Sequence, residues 1–277
     1  MGITFESISK VEELFNAKNW EIINDSSLFS STFNRFCARL AMFDEEKQDL
    51  LIELGYRFTD LNLNDFQPCF VDAIKKIENL DEYKSIIVAP LKSPNTKSVK
   101  SCDGIWYHLK NYSDFSYETF GKKLYFSSDW EKNTKVLDEK KGILLILIDD
   151  FIGTGETVVG ALDDLFSEGI IKTEHKIKVL TFMAQREGVE VVHKKYPKIV
   201  THSISLDKGL TDNYKGDNLA NNKKLMTEME QKLKVHSDYE FGYGRSESLV
   251  AVSRRSANNT FPVFWLEKKT KLAPFKR

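Results

Sequence analysis

Two adjacent acids, Asp149 and Asp150, stand between an apolar run and the turn Gly153-Thr154-Gly155-Glu156-Thr157. A carboxylate pair accepts hydrogen bonds from hydroxyls and attracts a divalent cation. A glycine-threonine turn that opens a helix presents backbone N–H groups with no intrahelical partner. The helix dipole adds about half a positive charge there. Such a turn suits a phosphate. Gly153 and Gly155 let the backbone approach a ligand, and Thr154 and Thr157 add hydroxyl donors. Acids repel a phosphate at contact distance. The two features therefore fit one ligand if the acids hold sugar hydroxyls and a cation lies nearby. A phosphorylated ribose has that chemistry. A P-loop is set aside, because Glu156 follows Gly155 where that motif requires lysine.

The acids need a strand to carry them. Gly142 to Ile148 is a short continuous apolar run, the pattern of a parallel strand buried on both faces. Its C-terminal end is where open α/β sheets bind ligands. Strand side chains alternate, but that rule lapses at a strand end, so both acids can face one ligand. Val158, Val159, Leu162, Leu165 and Phe166 make one helical stripe after the turn. Further strands are predicted at Ser85–Ala89, closed by Pro90, at Ile177–Phe182 and at Ile199–Ser205. Helices are predicted over Asp103–Lys110 and around Gly188–Lys195. This β-α-β order predicts an α/β fold with a parallel sheet and right-handed crossovers.

The flanks read differently. Residues 1–82 form a helical extension. One stripe there carries Phe33, Phe36, Cys37 and Leu40. Another carries Leu50, Leu51, Leu54 and Phe58 behind the N-cap Asp44, and a third starts near Asp65. Residues 83–210 form the core, and 211–277 a C-terminal α+β segment. That segment has a charged helix at Lys223–Val235, a turn at Phe241–Gly244, and short strands at Leu249–Val252 and Phe261–Trp265. Residues 111–135 read as polar, aromatic and irregular.

The segment Leu145–Thr157 resembles the phosphoribosyl pyrophosphate (PRPP) signature of type I phosphoribosyltransferases. That pattern is four apolar residues, two acids, two apolar residues, and a small-residue loop ending in Thr-Gly-x-Thr. Phe151 is bulkier than the usual aliphatic, Gly153 replaces a frequent Ala or Ser, and Glu156 fills a variable position. The resemblance implies a phosphoribosyltransferase-like core with a C-terminal hood. It implies PRPP with Mg2+ as ligand, and transfer of phosphoribose to an acceptor with release of pyrophosphate. By the same resemblance Asp149 and Asp150 hold the ribose 2- and 3-hydroxyls and are the catalytic pair. Gly153, Thr154, Gly155, Glu156 and Thr157 wrap the 5-phosphate.

The family's pyrophosphate loop corresponds to the stretch after Val88, with Lys92, Lys97, Lys100 and Ser101 as donors; a solvated lysine loop is the plainer reading. Its catalytic lid corresponds to residues 111–135, with Lys122 and Lys123 in reach of pyrophosphate. Asp207, Asn258 and Asn259 are candidates for the acceptor pocket, beside a reading of the two asparagines as turn residues. The C-terminal third is similar to bacterial phosphoribosyltransferase-like proteins assigned to conflict or antiviral operons. Three functions stay open: a transferase, a non-catalytic PRPP- or nucleotide-sensing regulator, and an effector whose N-terminal helices dock a protein partner.

Composition narrows the setting. The chain has 277 residues, 41% apolar and 29% charged, with net charge −1. That balance gives no general pull toward nucleic acid or membrane. Cys37, Cys69 and Cys102 are scattered, and the five histidines have no ligand spacing, so no protein-only metal site is expected. The N-terminus lacks signal-peptide form, and no apolar stretch approaches the ~20 residues that span a bilayer. A cytoplasmic protein is the expectation.

Overall fold

Capping and apolar spacing set the elements in chain order. The computed structural model describes residues 2–22, 31–111, 121–267 and 272–277. Helices α1 (Phe5–Ala17), α2 (Thr32–Leu40) and α3 (Glu45–Arg57) each begin at a side-chain cap: Thr4, Ser31 and Asp44. Strand β1 (Thr59–Leu61) follows, then α4 (Phe66–Lys75), β2 (Ser85–Pro90), α5 (Ser101–Lys110), β3 (Lys123–Phe126) and α6 (Trp130–Glu139). Next come β4 (Ile143–Ile152), α7 (Glu156–Ser167), β5 (Lys176–Gln185), α8 (Arg186–Lys195) and β6 (Val200–Leu206). The chain ends with α9 (Gly216–Leu233), β7 (Val250–Val252) and β8 (Arg255–Ser256).

One compact unit spans Leu63–Leu206. Its five strands are ordered β3-β2-β4-β5-β6, and every neighbouring pair is parallel. The first seven residues of β4 are buried, as expected for a central strand covered on both faces. Leu145 and Leu147 pack with Val158, Leu162, Leu165, Val179 and Val192, which brings α7 and α8 into one core with the sheet. Phe66 at the start of α4 lies 5.0 Å from Phe182 of β5, centroid to centroid.

The second unit joins Met1–Asn62 to Asp207–Arg277. Its core gathers Val11, Leu14 and Phe15 of α1 and Phe33 and Phe36 of α2, with Met226 and Met229 of α9 and Phe261, Phe264 and Phe275. Strand β1 pairs in parallel with β7, Thr59 opposite Val250.

Several expectations shift. The divisions at 62/63 and 206/207 differ from 82/83 and 210/211. Helix α4 packs with β5 and β6, and the helices before it share a core with the far end of the chain. The stretch 111–135 is partly regular. Lys123–Phe126 is an edge strand in which Leu124 alone is buried, too short for alternation to show. Asp129 caps α6 by accepting the Lys132 N–H at 3.1 Å. Tyr112, Phe115, Tyr117 and Phe120 lie outside the described residues. Within the expected strand Phe261–Trp265, Pro262–Phe264 is a 3-10 turn, since Pro262 at its start sets helical φ and donates nothing to a ladder.

Candidate functional site

The two acids do not lie past the end of the strand, as expected, but on β4 itself, which continues through them to Ile152; its register with β5 pairs Asp149 and Phe151 but skips Asp150. Strand order makes this a special place. From β2 the chain crosses to β3 on one side, and from β4 it crosses to β5 on the other. The carboxyl ends of β2 and β4 therefore flank a topological switch point, where open α/β sheets leave a crevice. Helix α5 enters after β2, and α7 after β4.

A hydrogen bond links the two sides of that crevice. Ser101 Oγ donates to Asp150 Oδ1 at 3.0 Å. Ser101 is the first residue of α5, whose start is held instead by Asp103: Oδ2 accepts the Lys100 N–H at 2.9 Å. Asp103 was not singled out from the sequence, although its place three residues after Lys100 is capping-box spacing. Its other oxygen accepts from Lys92 Nζ at 2.7 Å. Lys92 is thus ion-paired beside the crevice, whereas Lys97 and Lys100 are exposed.

Asp149 is 7% exposed, and its Oδ1 accepts the Asp150 N–H at 2.9 Å. Burial first, then the charge of Asp150, pushes its pKa well above the ordinary aspartate value, while the Ser101 hydroxyl pulls the other way. Buried Cys102 lies in the same field. Its thiol is pushed up by burial and then by Asp149, Asp103 and Asp150, so it is an inert neighbour rather than a nucleophile. An adjacent, mutually repelling pair of hard oxygen donors has the chemistry of a Mg2+ site. Mg2+ takes one or two carboxylates, keeps waters and draws its remaining oxygens from substrate phosphates. Among the described residues no group of three or more His, Cys, Asp or Glu forms a metal cage.

The turn 153–157 leads into α7 through Gly155, which has φ +84° and no side-chain cap bond. Gly155, having no side chain, offers the first amides of α7 no N-cap acceptor, at the place where a phosphate supplies one. Thr157 is exposed there and Thr154 half-buried. The glycine at 155 also has a second task. A Cβ there would lie 2.5 Å from Gly188 O, and a Cβ on Gly188 would lie 2.0 Å from Gly153 O. The turn is seated against the first turn of α8, and Gly188 was missed because its partner is distant in sequence.

Other expected residues fall elsewhere. Lys122 donates to the Tyr83 carbonyl at 2.7 Å. Tyr83 and Lys122 precede the parallel strands β2 and β3, so Lys122 and Lys123 lie at the sheet edge opposite the acids and do not reach a ligand there. Asp207, Asn258 and Asn259 belong to the other unit. Asn258 O accepts the Tyr243 N–H at 2.9 Å, and Asn259 O accepts the Ser248 N–H at 3.1 Å. Asn259, 8% exposed, also donates from its amide to Tyr243 O at 3.3 Å. These are turn contacts of the two asparagines' backbone and of the Asn259 amide.

Comparison with known proteins agrees with the motif. Residues 38–277 match the PRTase-CE family model, and the chain belongs to that family as a type I phosphoribosyltransferase-like protein. It is 34% identical over 71 residues to uridine kinase-like protein 4 of Arabidopsis thaliana, covering 26% of this chain and 15% of that protein. It is 28% identical over 78 residues to uracil phosphoribosyltransferase of Acinetobacter baylyi, covering 28% of this chain and 35% of that protein. The chain therefore spans well under half the length of these relatives. A solved orotate phosphoribosyltransferase from Aeropyrum pernix matches at 12% identity and TM-score 0.28, covering 49% of this chain and 69% of that one.

Proposed function

We propose that this PRTase-CE family member binds PRPP with Mg2+ and transfers phosphoribose to an acceptor, releasing pyrophosphate. The observation that carries the reading is the convergence at the β2/β4 switch point. Two carboxylates, a hydroxyl held 3.0 Å from one of them, and an uncapped helix start meet there. In this reading Asp149 and Asp150 accept hydrogen bonds from the ribose 2- and 3-hydroxyls. The amides and hydroxyls of Gly153–Thr157 hold the 5-phosphate. Lys92 and Ser101, at the mouth of α5, face the pyrophosphate, with Lys97 and Lys100 as exposed donors further out on the same loop.

The bond between ribose C1 and the pyrophosphate oxygen breaks, and the acceptor's electron pair forms the new bond to C1. Positive charge grows on the ring, which two nearby carboxylates stabilise, and negative charge grows on the leaving group, which the lysines meet. Bound Mg2+ would supply further compensation for the departing pyrophosphate. When PRPP and the cation bind, both acids are held in the charged form against the burial that otherwise raises Asp149.

Isothermal titration of the full chain with PRPP tests this. Binding of about 1 mM or tighter is expected with Mg2+, and it should vanish in the Asp149→Asn, Asp150→Asn double variant. No heat with wild type, together with unmoved amide resonances at Gly153–Thr157, would sink the proposal.

A second reading rests on Asp149 burial and on the Lys92–Asp103 ion pair, which occupies one proposed pyrophosphate donor. The protein is then a PRPP- or nucleotide-sensing regulator, or an effector of a bacterial conflict or antiviral system, with a protein partner at the N-terminal helices. Phe5 at the head of α1, 85% exposed, suits such a contact. This reading expects binding without pyrophosphate production. Pyrophosphate release by the pure chain with any base or nucleotide acceptor counts against it.

A further inference from the structure

A second collection of cationic groups lies at the amino-terminal edge of the parallel sheet, away from the two acids. Lys176 pairs in register with Leu144, five residues before Asp149, so about 17 Å of strand separates the two places. Two cavities adjoin there. One, of about 370 Å³, is lined by Lys172, Lys176, Lys178, Lys195 and Lys198. The other, of about 300 Å³, shares Lys178 and Lys198 and adds Lys76, His193 and His202. Among the described residues lining the pair, Glu78 is the one carboxylate.

A chain of net charge −1 does not concentrate six lysines in one place by composition alone. Three of them have ion partners outside the lining: Lys76 with Asp72, Lys172 with Asp138, and Lys195 with Asp163. Lys176, Lys178 and Lys198 have no carboxylate in ion-pair contact among the described residues. Lys178 Nζ donates to the Lys198 carbonyl, which fixes the ammonium at the seam between the cavities and leaves it two further donors. Lys172 and Lys178 are half-buried and the other four exposed; Glu78 acts on Lys178, and an anion offsets the remaining like-charge repulsion. The imidazoles register this field. Burial first, then the charge of Lys178, holds His193 below its ordinary pKa. Burial first, then Lys76, does the same to His202.

We propose that the joined cavities bind a ligand carrying two or more phosphate groups, with Lys178 and Lys198 bridging the phosphates and Lys176 and Lys76 at the two ends. The ligand is either a free polyphosphate-bearing nucleotide or the backbone of a single-stranded nucleic acid; the lysines read the same groups in both. The site is independent of the Asp149–Asp150 crevice.

Ring resonances of His193 and His202 in the full chain, at pH 7 without Mg2+, report this site alone. Titration with inorganic tripolyphosphate should move both toward the protonated form. The Lys178→Gln, Lys198→Gln variant should weaken that response about tenfold or more, while Asp149→Asn, Asp150→Asn should leave it intact. A 12-nucleotide single strand and a nucleoside triphosphate then separate the sources. The strand binds tighter, with a steep salt dependence, if the natural ligand is nucleic acid; the triphosphate binds tighter if it is small. Unmoved histidine signals with all three probes, or equal binding by the lysine variant, overturn the proposal.

Discussion

At the scale of single residues, burial sets the behaviour of two carboxylates, Asp149 and Glu230, whose pKa values it raises. Asp149 has a native pKa raised by burial and by Asp150. An acid raised above its unfolded value costs no stability at low pH, where both states are protonated. Its cost grows as pH climbs past the unfolded value and is complete above the native one. Asp149→Asn removes the charge and keeps an oxygen to accept the Asp150 N–H. The ligand-free variant should therefore melt higher at pH 8, by about 2–4 °C per kcal/mol relieved, and lose its response to PRPP; a lower melting temperature would show that the charge is stabilising. Glu230 of α9 obeys the same sign. Both its oxygens accept the Phe241 N–H at 3.1 Å, and burial pushes it up to about 8. Its contribution should erode stability between pH 4.5 and 8. Glu230→Gln should flatten that slope by on the order of 1 kcal/mol or more, read from urea midpoints at pH 5 and pH 8. The paired acids at 149–150 were legible because type, order and spacing are local. The Ser101–Asp150 bond was not, because it joins residues 49 apart, and a serine before a helix reads first as a cap.

At the scale of elements, the candidate phosphate turn depends on how closely α8 approaches it. Gly155 and Gly188 face each other with no room for a Cβ on either, since the nearest atoms are rigid backbone carbonyls. Gly188→Ala must therefore displace the turn or the helix. It should cost about 1–3 kcal/mol of stability and weaken PRPP binding without touching a ligand atom, because the first amides of α7 move with Gly155. Parallel thermal melts and PRPP titrations check this; wild-type affinity in a destabilised variant would mean the turn keeps its shape without that packing. The central strands and their helices were legible, since β4 has a long continuous apolar run, β5 is rich in apolar residues and α7 has a clean stripe. The edge strand β3 was not, because four residues with one buried side chain carry no periodicity. Phe261–Trp265 is expected as a short strand, whereas Pro262 begins a 3-10 turn there.

At the scale of the whole chain, the helices before residue 62 were legible as helices, with Asp44 capping α3 as expected, but not as half of a unit completed by the last 71 residues. No local pattern announces that Thr59 pairs with Val250 or that both ends of the chain share one aromatic cluster. Phe275, followed by two residues and 1% exposed, stacks on Phe58 at 4.3 Å with rings 5° from parallel. It also meets Trp20 edge-on at 5.4 Å. The tail is fixed by more than this ring. Phe275 N donates to Phe264 O at 3.0 Å, and Ser256 N donates to Lys276 O at 2.7 Å. Arg39 of α2, 1% exposed, donates from Nε to Leu272 O at 3.0 Å. With those bonds kept, Phe275→Ala cannot collapse the space between Phe58 and Trp20 by letting the tail slide inward. The loss should fall at the large end for a buried aromatic, about 3–5 kcal/mol. Hydrogen exchange should then speed up at Val250 and Ala251 of the β1–β7 pair, because Ala251 lies in the same core as Phe275. A tail that merely lies on the surface would instead give an unchanged denaturation midpoint and unchanged exchange at those two amides.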